Sequence, residues 1–473
     1  MWTKAVVLVS ATCLWSGCTS APSAAPSGDD DPEETFEVAQ AVSDPGPRGG
    51  ERGVGGAYDT LSNDEKTFFT QSRDVFSEID SVSGKIEEGK GLGPTFNGNA
   101  CSQCHSEPDV GGSSQHPTLG HVKMPNPQVG LATLDRVPGG NQKVPPFITA
   151  DGPTREARFV KNPDGSADGG VHGLYTIAGR SDAPGCTLAQ PDFAKEVAKN
   201  NVIFRIPTPV FGLGLLELVP DSVLESNLAA SSVSGNKIGC ALTGTFNRSG
   251  NDGTITRFGW KAQNKSLLVF AGEAYNVEQG VSNEAFPNER SLVAGCDFNG
   301  GPEDATDTTT GESGDVTLFA AFMRLSAEPT PTTASASELR GQQLFGTAAD
   351  PGVGCVLCHS ATLVTGKARY TGMSGAEIHP YTDLAIHHMG DGLSDGVTQG
   401  GAGGDQFRTA PLWGVGKRIF FLHDGRSGPS NGGLVNAILA HSSRGSEAKP
   451  TIRKFTQLSA SDQQAVINFL RSL

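Results

Sequence analysis

Two stretches decide the reading: Cys101-Ser-Gln-Cys104-His105 and Cys355-Val-Leu-Cys358-His359. Both spell Cys-x-x-Cys-His, the spacing of c-type haem attachment. Two thiols about one helical turn apart add across the porphyrin vinyl groups, and the adjacent histidine falls under the iron as its proximal ligand. For a chain of 473 residues with nine cysteines and ten histidines, chance supplies such a pentad with a probability of about 0.004. The spacing therefore predicts two covalently attached c-type haems, on Cys101 and Cys104 with His105, and on Cys355 and Cys358 with His359. A zinc site built from both pairs would have to close a loop of roughly 250 residues, far outside ordinary zinc spacings. A thioredoxin-like redox pair would need neither the adjacent histidine nor a second copy.

Working outward, the first residues read as an export signal. Lys4 precedes a mostly apolar run over 5–15, and Ser16-Gly17 stands before Cys18. The run is too short to span a bilayer. It resembles a bacterial lipoprotein signal (1–17), with Cys18 as the lipidated first residue and cleavage without lipid as the alternative. Residues 18–56, rich in Pro, Ser, Gly and acid, read as a disordered tether. Cys186, Cys240 and Cys296 lie between the two pentads. In an oxidising compartment two of them are expected to pair, with the connectivity open.

Composition bounds the rest. Adding 62 glycines to the 36% hydrophobic residues gives an ordinary globular content, which excludes disorder as the overall description. The 62 Gly and 29 Pro imply many turns and long loops. A net charge of −15 makes the chain a poor partner for a phosphate backbone, so no nucleic-acid role is expected.

Helical signals flank each pentad. Ser62-x-x-Glu65 and Ser335-x-x-Glu338 are capping boxes. The first leads into Phe68, Phe69, Val75, Phe76 and Ile79, the second into Leu339, Leu344 and Phe345. At the C-terminus, Ser459 caps a run with Val466, Phe469, Leu470 and Leu473 at helical spacing. A capped helix before the pentad and an amphipathic one closing the chain resemble a cytochrome c domain, with Gly341 permitting the two helices to cross closely. The expected fold is mainly α, two cytochrome c-like haem domains with long loops and short irregular insertions. The N-terminal haem domain spans 57–333 and the C-terminal one 334–473.

Further segments carry a family likeness: HGLYTIAGRSDAPGC (172–186), FRIPTPVFGLGLLE (204–217), RFGWKA (257–262), DLAIHHMGDGLSDG (383–396), FRTAPLWGVGKRIFFLHDGRS (407–427) and AILAH (437–441). With the paired pentads they resemble the bacterial di-haem cytochrome c peroxidase superfamily, and within it the di-haem oxidoreductase branch labelled thiol oxidoreductase-like. The resemblance implies two lobes, one haem receiving electrons and the other meeting peroxide. It implies a tryptophan bridge, for which Trp260 and Trp413 are the candidates. At the C-terminal haem the position of the superfamily's methionine ligand matches His441. Met389, beside His387 and His388, is the competing ligand. At the N-terminal haem, His116 and His121 follow the pentad, and His121 is similar to the superfamily's displaceable histidine; an open iron is the alternative. Glu217, with Glu225, stands where a distal acid is expected, and Arg408 and Arg426 are candidates to neutralise haem propionates. His172 is read as structural.

The implied function is that of an exported c-type di-haem oxidoreductase passing electrons between its haems and reducing peroxide at the N-terminal one. The alternatives are a non-catalytic di-haem electron-transfer protein, and oxidation of a protein or thiol substrate through high-valent haem iron. The implied partners are peroxide and a donor protein of cytochrome or cupredoxin type. The implied location is the periplasmic side of a bacterial cell envelope, with membrane contact only through an N-terminal lipid anchor.

Overall fold

Both capping boxes form. The Ser62 hydroxyl accepts from the Glu65 amide and the Glu65 carboxylate accepts from the Ser62 amide at 2.7 Å, which starts α1 (Asn63–Ser77). The computed structural model describes residues 34–133, 142–291 and 293–473; the expected signal and Cys18 lie outside them. The other principal helices are α2 (Leu213–Glu217), α3 (Asp221–Lys237), α4 (Leu267–Ala274), α5 (Asp315–Leu325), α6 (Ala336–Phe345), α7 (Gly433–Leu439), α8 (Lys449–Thr456) and α9 (Ala460–Ser472). A π-helical turn, Tyr275–Gln279, continues α4. Strands among the described residues are two to four residues long, so helices carry the architecture.

The helical spacing of the apolar residues sets the packing. Phe69 and Phe76, two turns apart on α1, meet Phe322 of α5 with ring centroids 5.6 and 4.5 Å away. In the C-terminal part α6 packs against α9. Gly341 sits at their contact, where a Cβ would collide with the Ala465 carbonyl, so only glycine admits this approach. An antiparallel sheet is formed by β1 (Glu156–Phe159), β2 (Val171–His172) and β3 (Val202–Arg205), with β1 central and Glu156 opposite Arg205. A second ribbon pairs β4 (Ile386–His388) with β5 (Gln406–Arg408).

From Phe36 to Leu473 the chain is one unit. The described part of the expected tether therefore differs from the sequence reading, because residues 36–56 pack on the body. Val42 is buried, and the Asp44 carboxylate takes two hydrogen bonds from Arg471 at 2.6 and 2.7 Å. The Arg48 amide donates to Gly416 at 2.7 Å, and the Lys417 ammonium donates to the Glu51 carbonyl. Specific polar pairing holds a segment whose composition alone supports no core. Cys186 and Cys296 form a disulfide, and Cys240 is buried and free. Among the described residues no helix is long and apolar enough to cross a membrane.

Candidate functional site

Each pentad lies on the wall of its own cavity. The first, about 1150 Å³, takes Cys101, Cys104 and His105 from a short helical turn and the residue that ends it. Burial pushes the Cys104 thiol up to about 12 and the Cys101 thiol higher still. Such thiols stay neutral, which does not suit a thiolate metal site. The His105 Nδ1 donates to the Gly112 carbonyl at 3.1 Å, and burial holds the ring down to about 4. A neutral imidazole with its proton on Nδ1 keeps the Nε2 lone pair for a metal.

The second cavity, about 1450 Å³, takes Cys355, Cys358 and His359. Here two histidines are prepared in the same way. His359 Nδ1 donates to the Tyr381 carbonyl at 3.0 Å, and His441 Nδ1 donates to the Ala437 carbonyl at 2.7 Å. Burial lowers both rings, His359 to about 4. Met389 also lines this cavity, but packs with Trp260 and Phe407. His387 is held between Asp383 at 3.0 Å and Glu447 at 2.9 Å; burial opposes its charge, but the neighbouring Cys358 and Asp383 side chains raise it well above its ordinary value.

Several buried polar atoms at these walls have no protein partner. Arg418 leaves Nε and Nη2 unpaired at the second cavity, and burial holds it, like neighbouring Arg408, down to about 10. At the first cavity Arg155 Nε and Arg205 Nε are unpaired, as are the Gln263 and Gln279 carbonyl oxygens. Arg205 is paired with Asp395 at 2.7 Å, whereas Arg155 and Arg418 have no carboxylate partner among the described residues, and buried guanidinium groups left so are costly. A planar cofactor bearing two carboxylates, as haem does, would satisfy them. The donor set thus fits two haems, one per cavity.

Trp260 lines both cavities. Its Nε1 donates to the Ile206 carbonyl at 2.9 Å, fixing the indole, and its ring edge meets His423 at 6.4 Å. Trp413 lines neither cavity and packs over Gly212.

Other sequence candidates stand elsewhere. Glu217 takes two hydrogen bonds from Arg324 at 2.6 and 3.0 Å and one from the Leu267 amide at 2.8 Å, so it ties α2 to α5 and to the start of α4 instead of facing a cavity. Glu225 pairs with Arg248 at the surface. His121 is not at the first cavity either; Glu107 meets its Nδ1 at 3.2 Å and the Gly50 carbonyl meets its Nε2 at 3.1 Å. His116 lies against Phe420, and Arg426 pairs with Asp424, leaving Arg418 as the companion of Arg408.

Glu156 and Glu278, which share a hydrogen bond on the first cavity wall, have no counterpart among the sequence candidates. Burial, then the neighbouring Glu156 charge, raise Glu278 well above its ordinary value. Burial also penalises a charge on Glu156, but Arg158 and Arg205 overcome it and hold that carboxyl low. Glu278 reaches the cavity because the π-helical turn carries Tyr275, Val277, Glu278 and Gln279 to its wall. Such turns interrupt the 3.6-residue period and are frequent at functional sites.

Comparison with known proteins gives a family and two distant folds. The family described as "Di-haem oxidoreductase, putative peroxidase" matches residues 156–473. No curated protein matches the chain. Among solved structures, a MauG-like protein associated with microbial copper homeostasis is 12% identical, covering 93% of this chain and 95% of its own, with a TM-score of 0.33. Hydrazine synthase from Kuenenia stuttgartiensis is 18% identical over 34% of this chain, with a TM-score of 0.22; the match spans 58% of the hydrazine synthase chain.

Proposed function

The chain belongs to the di-haem oxidoreductase family, and from that premise we propose that it reduces peroxide at the first cavity with electrons received at the second. The observation that carries this reading is the position of Trp260, one fixed indole on the wall of both cavities. When bound, each haem supplies an iron that takes up and passes single electrons.

The chain's own residues divide the labour. Cys101 and Cys104, and Cys355 and Cys358, would hold the two groups covalently, while His105 and His359 would offer Nε2 to the iron. His441 presents a second oriented Nε2 at the second cavity, which suits electron transfer without substrate access. Arg408 and Arg418 would receive carboxylates there. Among the described residues lining the first cavity His105 is the one histidine, and Met323 also lies on that wall. Three carboxyls, Glu156, Glu273 and Glu278, stand on that wall, and burial with the neighbouring Glu156 charge raises Glu278 well above its ordinary value. Peroxide reduction consumes two electrons and two protons, and a neutral carboxyl beside the substrate is a suitable general acid. The same reading places the protein in the cell envelope, receiving electrons from a small donor protein.

The test combines axial-ligand spectroscopy of the half-reduced protein with peroxide turnover on an artificial donor. The expected result is a six-coordinate C-terminal haem, an N-terminal haem open to small ligands, and turnover. Two six-coordinate haems with no turnover would make the protein an electron carrier instead.

A further inference from the structure

We propose that Asp395 is the positioning residue of the bridge between the two cavities: its carboxylate clamps the two segments that hold Trp260 and fixes Arg205 at the first cavity. The proposal rests on the reading above in which electrons pass Trp260. It adds to that reading a residue that lines neither cavity.

Three segments far apart in the chain meet at this carboxylate. Arg205 ends β3, Lys261 follows Trp260, and Asp395 lies on the loop between β4 and β5. Arg205 Nη2 donates to Asp395 Oδ2 at 2.7 Å, and Lys261 Nζ stands 3.1 Å from Asp395 Oδ1. The Arg205, Lys261 and Asp395 side chains are only 3%, 0% and 1% exposed. Lys261 Nζ also donates to the Gly403, Gly404 and Gln406 carbonyls at 2.7, 3.2 and 3.0 Å. Neighbouring acids are engaged elsewhere, Glu156 with Arg158 at 2.6 Å and Asp405 with His388 at 2.9 Å. Among the described residues Asp395 is the one carboxylate in ion-pair contact with Arg205 or Lys261.

A buried ion pair adds little net stability over apolar packing of the same volume, so a role beyond stability accounts for it better. Its neighbours supply that role. Ile206, next to Arg205, accepts the Trp260 Nε1 hydrogen bond at 2.9 Å, and the Ile206 amide donates to the His423 carbonyl at 2.8 Å. Lys261, next to Trp260, lies 4.0 Å over the Phe407 ring, which stacks on His423 at 4.3 Å on the wall of the second cavity. Asp395 thus ties the segment that accepts from the indole to the residue that follows the indole. Arg205 Nη1 donates to the Gln399 side-chain oxygen, which leaves Nε as the unpaired nitrogen of this guanidinium at the first cavity. With both terminal nitrogens anchored, Nε is held ready for a carboxylate of a bound haem. The passage that the clamp serves moves one electron: the C-terminal site is oxidised and the N-terminal site reduced, with no bond made or broken and no proton moved.

The experiment titrates the reduction potentials of both haems in the haem-loaded protein and follows electron transfer between them by stopped flow, in Asp395→Asn and Lys261→Met. Asp395→Asn keeps the shape and removes the charge that balances Arg205. It is expected to raise the N-terminal potential more than the C-terminal one, because added positive charge favours the reduced state. It is also expected to slow interhaem transfer by about threefold as the clamp loosens. Lys261→Met removes a cation and leaves the Arg205–Asp395 pair, so the N-terminal potential is expected to fall; this variant serves if Asp395→Asn does not fold. Opposite signs from two members of one buried cluster separate positioning by charge from general loosening, which moves both variants alike. An unchanged N-terminal potential or an unchanged transfer rate in Asp395→Asn, or a shift of the same sign in both variants, would overturn the role of Asp395, whether or not the wild type turns over peroxide. Potentials and rate that respond as expected in a protein without peroxide turnover would instead overturn the peroxide reading and leave Asp395 in place.

Discussion

Asp44→Ala tests whether the segment before α1 belongs to the folded body. The Asp44 and Arg471 side chains are 8% and 7% exposed. Two charge-assisted hydrogen bonds join them at 2.6 and 2.7 Å, and Asp44 also accepts from the Leu434 amide at 2.7 Å. Alanine leaves a buried guanidinium without its carboxylate, a loss of about 3–5 kcal/mol. Arg471 also donates to the Arg418 carbonyl at 2.9 Å, so the damage reaches a cation of the second cavity. Burial disfavours the Asp44 charge, but Arg471 more than offsets it and the carboxyl sits below 3.8. Its contribution is therefore complete above the unfolded value and lost as pH falls through the lower folded one. Urea unfolding at neutral and acid pH, with limited proteolysis, reads both consequences. The variant is expected to unfold earlier at neutral pH, to converge on the wild type in acid, and to be cut before residue 60. A neutral-pH difference below about 0.5 kcal/mol, the range of surface substitutions, would refute a packed segment.

His441→Ala is expected to turn the C-terminal haem five-coordinate or water-ligated in its electronic spectrum, while an unchanged low-spin spectrum would give the role to Met389. Trp260→Phe keeps a ring but loses the Ile206 hydrogen bond, and interhaem electron transfer followed by stopped flow is expected to slow by about tenfold, equivalent to roughly 1.4 kcal/mol of barrier. Arg418→Met removes a buried positive charge, so redox titration is expected to show a lower C-terminal potential. Glu217→Ala breaks a partly exposed ion pair and is expected to cost about 1 kcal/mol in unfolding.

Local features were legible. The two pentads, the two capping boxes and the glycine at the helix crossing are read from neighbouring residues or regular periods, and the structure places each pentad at a cavity. The legibility ended where a role depends on what arrives from elsewhere. Glu217 and Glu278 are both acids in apolar surroundings; Arg324 claims one, and the π-helical turn delivers the other to the first cavity. His121 and His441 both follow a pentad in sequence, but Glu107 and Gly50 engage the first ring whereas Ala437 orients the second. Acidic, Gly-rich composition made residues 36–56 look free, since it carries no sign of Arg471 waiting more than four hundred positions away.

The sequence by itself determined the family and marked the two pentads that the structure places on cavity walls, because thiol addition and proximal ligation would need only five consecutive residues on one turn. Tertiary structure alone decided that Trp260 serves two cavities, that Arg418 accompanies Arg408, that Cys186 pairs with Cys296, and that Glu156 meets Glu278. Each of these is a distance between segments far apart in the chain, and loop closure and core packing, which no local spacing encodes, set such distances.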